Sequence, residues 1–235
     1  MKVLMLILSS PSLHPVYASL KEVWASYMNA NSAIDSFFIE YHPEKNMAVE
    51  GNTIYIKGRE SYHPGCREKT IDALKFFLNG DVKYDYIIRT NISSLWNFTA
   101  LLKYLETLPK INVYAGIIGQ HRSQRFVSGA GFIMSPDVAS RVVENRAMMN
   151  RSNVLDDVDI GFMMEHKKIP FTAGNRYDIY SMDMFNRYVF DNSVYHYRIK
   201  WSNTAMRHEE PIVMKKLLDK MATCLTQTSD DVSLK

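Results

Sequence analysis

Residues 2–8 form an apolar run that is followed at once by the polar segment Ser9-Ser10-Pro11. A strand is apolar at consecutive positions where both faces of its sheet are covered, so this run predicts a buried strand inside a layered fold. It is far shorter than the ~18 apolar residues of a membrane span. A signal peptide would also need a longer apolar region and a small-residue cleavage site. The run therefore constrains the chain to a fold built around an internal sheet.

Strand and helix patterns alternate after this first strand. Helices are predicted from Pro15, whose ring suits a first helical turn, and over residues 66–78, where Asn79-Gly80 ends the pattern. Leucines at helical spacing predict a third helix that stops at Pro109, and Pro211 opens the last one. Further strands are predicted at residues 37–40, 52–57, 86–89, 113–118 and 131–134. The alternation predicts an α/β fold with a mostly parallel central sheet, whose ligands bind at the carboxyl ends of the strands.

The chain has 235 residues, of which 46% are apolar and 23% charged. This size and composition predict one domain over residues 1–225, followed by a polar tail at residues 226–235 that is expected to be disordered. The net charge of +3 is too small, and the basic residues are too scattered, for a nucleic-acid partner. Cys66 and Cys224 are far apart in sequence and are expected to be reduced thiols. These features predict a cytoplasmic protein.

Two carboxylates follow a small-residue segment in the second half of the chain. Ser128-Gly129-Ala130-Gly131 is typical of a tight turn before a short strand and a helix opened by Pro136. Asp156 and Asp157 stand at the predicted start of a later helix, where acids also stabilise the helix dipole by ~0.3–1 kcal/mol. Asp159 is expected to belong to the same solvated helix start. The pair is therefore either a helix-start feature or an acid/base group beside a permissive turn.

Polar and basic groups mark two other strand ends. Residues 90–94 follow the strand at 86–89, and they either cap the next helix or contact a ligand. His196, Arg198 and Lys200 alternate as strand residues do, and they form either an exposed strand face or a site suited to a diphosphate. The histidines show no HxxxH or HxH spacing, and the sequence contains no Walker loop, GxGxxG or GxSxG segment.

Three segments, taken in order, resemble the β-1,3-galactosyltransferase/fringe type of nucleotide-sugar glycosyltransferase, which has the GT-A fold. They are IIRTNISSLWN, SGAGFIMSPDVA and DDVDIG. At the corresponding places the family has a strand ending in basic-x-Asp-Asp-Asp, a (Ser/Gly)-Gly-Gly-Tyr-Val-Leu-Ser segment before a helix, and Glu-Asp-Val-x-x-Gly. The matched region covers residues 60–161. The resemblance implies a Rossmann-like, three-layer GT-A fold.

The resemblance also implies an activity, the inverting transfer of a sugar, expected to come from a UDP-sugar, to a hydroxyl of a glycan or glycoprotein. Asp157 matches the family's general base, which takes the proton of the attacking hydroxyl, and Asp156 is expected to orient the acceptor. The segment 128–131 is expected to lie against the donor sugar or the acceptor. The residues expected to bind the donor are Ser9, Ser10, Pro11, Lys69, Arg89, Thr90, Asn91, Ser93, His196, Arg198 and Lys200.

The chain departs from this family at the metal site. The family's Asp-x-Asp, which holds the divalent cation, is replaced by Asn91-Ile92-Ser93. Neutral oxygens are poor ligands for Mg²⁺ or Mn²⁺, yet the leaving nucleoside diphosphate needs its developing charge stabilised. Either the diphosphate itself holds a metal, with support from Asn91, Ser93 and His196, or cations replace the metal. We favour the second solution. The cations expected in this role are Arg198 and Lys200, with Lys69 and Arg89 behind them.

The missing carboxylates leave open a second class of function, a non-catalytic nucleotide-sugar- or glycan-binding protein on the same fold. A nucleotide-sugar-forming enzyme would need a Gly-rich, Lys-containing loop after the first strand, and the sequence has none.

Overall fold

A computed structural model describes residues 1–11, 15–149 and 154–230, with side chains to residue 223. The strands are β1 (Val3–Leu8), β2 (Ile34–His42), β3 (Ala48–Glu50), β4 (Thr53–Lys57), β5 (Tyr86–Asn91), β6 (Ser94–Trp96), β7 (Tyr114–His121), β8 (Gln124–Met134), β9 (Thr172–Ala173), β10 (Arg176–Ile179) and β11 (His196–Ile199). The helices are α1 (Pro15–Tyr27), α2 (Gly65–Leu78), α3 (Phe98–Glu106), α4 (Pro136–Glu144), α5 (Asp156–His166), α6 (Met182–Arg187) and α7 (Glu210–Asp230). Short 3₁₀ helices lie at Arg146–Met149 and Thr204–Glu209.

The central sheet has the strand order β3-β4-β2-β1-β5-β8-β7-β9. In this sheet β3 and β8 run against the direction of the other six strands. The chain leaves β1 for β2 on one side and later returns to β5 on the other side, so the strand order reverses at β1. Open α/β sheets bind ligands at such a reversal, beyond the carboxyl ends of the strands. The predicted α/β fold with a mostly parallel central sheet is confirmed.

The two faces of β1 explain its apolar run. Val3, Met5 and Ile7 lie in a core with α1, α3 and α7, whereas Leu4 and Leu6 lie in a core with α2, α4 and α5. All six residues of β1 are buried, and full burial of such a side chain contributes about 1.5–3 kcal/mol relative to exposure. The helices therefore cover both faces of the sheet in three layers.

A small second sheet, in the order β10-β11-β6, packs into the core on the α1, α3 and α7 side. Its strand β6 is separated from β5 by Ile92 and Ser93 alone. The chain thus passes from the central sheet into the small one at the end of β5. Trp96 of β6 stacks on His196 of β11, with 4.1 Å between the ring centroids.

Ser128–Gly131 is not the tight turn that the sequence predicts but the middle of the strand β8. The pairing of β8 with β7 is regular up to Val127 and again from Phe132. Between them, four residues of β8 stand opposite Ile117 alone, which makes a wide bulge. A bulge bends its strand and redirects the groups on it. The small residues therefore let neighbouring side chains come close to the strand and do not reverse the chain.

The last helix and the two cysteines were also predicted from the sequence. Helix α7 begins next to Pro211, as predicted, and continues to Asp230. Residues 231–235 of the predicted tail and the side chain of Cys224 lie outside the described residues, so these expectations stay predictions. Cys66 is a free thiol. No helix in the described ranges combines the length and apolar character needed to cross a bilayer.

Candidate active site

A cleft of about 330 Å³ opens at the carboxyl ends of β1 and β5. Leu8 of β1 pairs with Asn91 of β5, so the two strands end side by side. Ser9 and Ser10 line the cleft after β1, and Ser93 lines it after β5. The cleft thus occupies the reversal of strand order, and its volume lies within the range of about 300–1,000 Å³ typical of ligand sites.

A larger groove, of about 840 Å³, lies elsewhere, between α2 and the strands β2 and β4. Its walls include Phe37, Phe76 and Phe77, and it shares no lining residue with the cleft at the ends of β1 and β5. The groove contains none of the residues predicted to be catalytic or to bind the donor. The smaller cleft is therefore the candidate site.

Three cationic side chains line the cleft. Lys69 is 2% exposed, and its Nζ donates to Glu60 at 2.9 Å. Arg207 is ion-paired with Glu210 at 2.8 Å. Lys200 is exposed and has no ion-pair partner in the described part of the chain. Lys200 is therefore the lining cation whose charge is available to an anionic ligand.

The end of β5 does not offer the ligands that a divalent cation prefers. Asn91 and Ser93 present neutral oxygens to the cleft, and the Glu60 carboxylate already accepts hydrogen bonds from Lys69 and from the backbone N–H of Tyr41. Across the described ranges there is no cluster of three or more His, Cys, Asp or Glu side chains suited to a metal. Mg²⁺ and Mn²⁺ favour carboxylate oxygens. The residues present therefore do not fit such a metal, whereas the lining cations fit an anion.

Asp156 and Asp157 open α5 beside the bulge of β8, as the sequence predicts for the helix start. Oδ2 of Asp157 accepts from the Gly129 N–H at 2.7 Å, and Oδ1 accepts from the Val158 N–H at 2.9 Å. Burial and the neighbouring Asp156 raise the pKa of Asp157, while the Gly129 N–H and Arg89 act in the opposite direction. A carboxylate with a raised pKa that remains partly accessible suits a general base.

Arg89 connects the acids to the bulge. Its guanidinium is 1% exposed and donates one hydrogen bond to Asp156 and another to the carbonyl oxygen of Gly129. A Cβ atom on Gly129 would lie 2.9 Å from Nη1 of Arg89 and 3.1 Å from Oδ2 of Asp157. Glycine thus allows the two side chains to come close to its backbone, and a larger residue would displace Arg89. Arg89 is directed at the acid pair and does not line the cleft.

Tyr62 and Cys66 lie between the acid pair and the cleft, which both residues line. Burial raises the pKa of Tyr62, and Asp156 and Asp157 raise it further. Burial also raises the pKa of the Cys66 thiol. The positive charge of Arg89 lowers this pKa, and the negative charge of Asp156 raises it. The charge of Asp156 thus acts on two residues that line the cleft. The Tyr62 ring is 71% exposed, so it is open to stacking by a ligand.

Other residues expected to bind a donor do not line the cleft. Thr90 is buried and accepts a hydrogen bond from Trp96 at 2.9 Å. His196 is 2% exposed on the other side of the same indole, and burial lowers its pKa well below the usual range. Arg198 lies 3.8 Å from Asp178. The predicted basic face is therefore divided, because its third member, Lys200, lines the cleft and the other two do not. Pro11 is exposed beyond the cleft wall.

The remainder of the bulge faces the small sheet. Ser128 accepts a hydrogen bond from Arg176 at 2.8 Å, and the carbonyl oxygen of Ala130 accepts two from side-chain hydroxyls. A Cβ atom on Gly131 would lie 2.5 Å from the Trp96 ring. The bulge is thus held from both sides, and its contact with a sugar or acceptor stays a prediction.

Sequence reasoning overlooked some residues of the site and misplaced one acid. Tyr17, Glu60, Ser61 and Arg207 also line the cleft. The available signal for Arg207 was its place directly before the helix predicted at Pro211. Asp159 is not part of a solvated helix start: it is fully buried and ion-paired with Arg67 at 2.7 Å.

No protein-family model matches the chain, and no curated protein matches it in sequence. Among solved structures, a glycosyltransferase involved in the glycosylation of the major capsid of PBCV-1 has a TM-score of 0.49 at 11% identity, covering 92% of this chain and 100% of its own. The galactosyltransferase LgtC, in complex with donor and acceptor sugar analogs, has a TM-score of 0.47 at 10% identity, covering 91% and 95%. The 4-diphosphocytidyl-2C-methyl-D-erythritol synthase of Anaerococcus prevotii has a TM-score of 0.46 at 12% identity, covering 74% and 86%. At these scores and identities, the function proposed below rests on the geometry of the chain itself.

Proposed function

We propose that this chain is a glycosyltransferase of the GT-A type that moves a sugar from a nucleotide-sugar donor, a UDP-sugar, to a hydroxyl of a glycan or glycoprotein. The observation that carries the proposal is Asp157, a half-buried carboxylate of raised pKa whose charge acts on Tyr62, a residue that lines the cleft at the strand-order reversal. The order of the three segments that resemble the fringe type supports the same function.

In the proposed reaction Asp157 is the general base. It accepts the proton of the acceptor hydroxyl while that oxygen forms a bond to the anomeric carbon of the donor sugar. The bond from the anomeric carbon to the diphosphate oxygen breaks on the opposite face, and the nucleoside diphosphate leaves with the electron pair. The configuration at the anomeric carbon is therefore inverted. Asp156 is held by Arg89 and assists by orienting the acceptor.

The donor diphosphate is proposed to bind in the cleft without a metal ion. Lys200 supplies an uncompensated charge at the end of the small sheet. Lys69, which is paired with Glu60, donates to the carbonyl oxygen of Ser9 at 2.5 Å and so holds the segment after β1 in place. Cations placed where negative charge develops stabilise a leaving group as a metal would. Asn91 and Ser93 contribute hydrogen bonds to the same oxygens.

The test is the release of UDP from a panel of UDP-sugars, measured with Asp157→Asn and with wild type. Turnover is expected to fall by about 10²–10⁴-fold in the variant, because asparagine cannot accept the proton, while donor affinity persists. Asp183→Asn is the matched control, since Asp183 lies on the exposed helix α6 and is paired with Arg187. Near-normal turnover of Asp157→Asn would refute the assignment of the base.

A second candidate is a nucleotide-sugar- or glycan-binding protein without catalysis. The observation that favours it is the pair Asn91 and Ser93, which stand where the resembling family has carboxylates. The same panel separates the two functions. A binding protein would gain thermal stability with a UDP-sugar and release no UDP from any donor.

A further inference from the structure

We propose that Arg89 is a positioning residue, which holds the Gly129 peptide and the Asp156 carboxylate so that Asp157 is presented to the acceptor as the base. This inference rests on the proposed function. It also differs from the donor-binding role that the sequence suggests for Arg89, because the guanidinium lies on the acid side of the cleft.

Hydrogen bonds connect Asp156, Arg89, Gly129 and Asp157 in that order. Arg89 donates to Asp156 and to the carbonyl oxygen of Gly129, and the N–H of the same glycine donates to Asp157 at 2.7 Å. Both backbone groups of Gly129 are thereby occupied. Because the bulge has no regular ladder partner on β7, these contacts fix the orientation of its peptide groups. Removing Arg89 would release one end of the series.

The shape of the guanidinium suits this role. Two nitrogens of its planar fork point to two different acceptors, which the single nitrogen of a lysine cannot bond with the same geometry. The third group, Nε–H, has no hydrogen-bond partner in the described part of the chain although it is buried. Such an unsatisfied donor is unfavourable, so the position of Arg89 is set by its contacts with Asp156 and Gly129.

Charge gives Arg89 a second effect on the base. Among the residues that the structure describes, the titratable and charged groups that act on Asp157 or lie within its electrostatic range are Asp156 on α5, Arg89 on β5, Tyr62 in the segment before α2, Cys66 on α2 and Tyr114 on β7. Burial raises the pKa of Tyr62, Cys66 and Tyr114, so these three groups are uncharged where a carboxylate titrates. Arg89 is thus the cation of this set, and it offsets the repulsion between the two acids.

The experiment compares the pH profile of turnover in wild type, Arg89→Met and Asp156→Asn. The base acts when deprotonated, so the rate rises with pH through the pKa of Asp157. Arg89→Met removes the cation, so the rise of the rate is expected at a pH about one to three units higher than in wild type. Asp156→Asn removes the neighbouring anion, so the rise is expected at a lower pH. Arg89→Lys keeps the charge, so the rise is expected to stay near that of wild type while its maximal turnover falls.

A direct titration separates failure of this inference from failure of the proposed function. The carboxyl carbon of Asp157, observed by NMR with ¹³C-labelled aspartate, reports its protonation without any turnover. A higher midpoint in Arg89→Met supports the inference even where no UDP-sugar is consumed. If Arg89→Met does not fold, Arg89→Lys and Asp156→Asn carry the same comparison.

Arg187→Met, which removes an exposed arginine of α6, is the control and is expected to leave the profile unchanged. Equal loss of turnover at every pH, with an unmoved midpoint for Asp157 in Arg89→Met and Asp156→Asn, would show that Arg89 only supports the fold and would overturn the proposal.

Discussion

The backbone nitrogen of Gly129 lies 2.7 Å from Oδ2 of Asp157. This donor comes from the main chain, so no side-chain substitution removes it, but added bulk at the glycine displaces it. The contact depends on the bulge of β8, which brings the peptide of Gly129 to the start of α5. The strand and the helix start thus form one site although 28 residues separate the two partners in sequence.

Gly129→Ala is expected to impair catalysis. Its methyl group would lie 2.9 Å from Nη1 of Arg89, which must then move and weaken its bonds to Asp156 and to the Gly129 carbonyl. Overpacking of this kind costs about 1–3 kcal/mol. We expect a drop in turnover of tenfold or more, on the order of 1.4 kcal/mol, in the UDP-release assay.

Gly80→Ala is the matched control for this substitution. A Cβ atom there would meet its nearest neighbour, a backbone oxygen, at an ordinary 3.4 Å. Turnover and melting temperature are expected to stay close to those of wild type. If both alanine variants turn over donor equally fast, the close approach at Gly129 has no part in the reaction.

The buried ion pair of Arg67 and Asp159 is expected to fasten α5 to α2. Both side chains are almost fully buried, at 3% and 0% exposure. Arg67→Met would leave a carboxylate buried without this partner, and breaking such a pair costs about 3–5 kcal/mol. Urea unfolding should therefore show a large loss of stability. Arg146→Met, which removes half-exposed ion pairs with Glu68 and Asp72, should cost about 1 kcal/mol or less.

The double variant Arg67→Met/Asp159→Leu tests the cause of this loss. Replacing both partners by apolar side chains removes the uncompensated charge, so much of the lost stability should return. A double variant as unstable as Arg67→Met would indicate that the packing of Arg67, and not its charge, stabilises the contact.

The three acids of α5 show what the sequence could and could not predict. The helix start was predictable because Asp156, Asp157 and Asp159 favour the first turn of a helix. Their environments were not, since burial of Asp159 depends on Arg67 from a helix 92 residues away. Neighbouring residues of one helix point in different directions and contact different parts of the fold, and the local sequence does not show these contacts.

The strand ends show the same distinction. The cleft at the ends of β1 and β5 was predictable, because an apolar run followed by small polar residues marks the carboxyl end of a buried strand. The alternation of His196, Arg198 and Lys200 predicted a strand, but the indole of Trp96 covers the first of them. Which member of an alternating set meets a ligand is decided by packing from elsewhere in the chain.

Lys200→Gln is expected to weaken donor binding. Its charge has no ion-pair partner in the described ranges, so its removal should change the affinity for UDP without reducing stability. A charge-assisted hydrogen bond contributes about 1.5–3 kcal/mol, which corresponds to a rise of roughly tenfold or more in the Kd of UDP. Lys216→Gln, on the exposed face of α7, is the control. Calorimetry of both variants in excess EDTA gives the comparison.

The UDP-release assay in excess EDTA tests metal independence. Because the residues at the end of β5 do not fit Mg²⁺ or Mn²⁺, turnover is expected to persist in excess EDTA. A complete loss of turnover that Mn²⁺ restores would contradict this prediction and would assign the diphosphate side to a metal.

Asp157→Asn is expected to change the pH dependence of stability in a defined direction. Burial and Asp156 raise the pKa of Asp157 above its value in the unfolded chain, so the folded protein binds this proton more tightly. The charged carboxylate therefore destabilises the fold once the pH exceeds the folded pKa, and it has no such effect below the ordinary carboxyl pKa of about 4.

Asparagine cannot titrate, and the hydrogen bond that Asp157→Asn loses changes the stability by an amount that does not vary with pH. The free energy of unfolding of the variant minus that of wild type should therefore increase as the pH rises from about 4 towards neutrality. Urea unfolding across this range measures the difference, and a flat or falling curve would show that Asp157 is not the strained carboxylate that a general base requires.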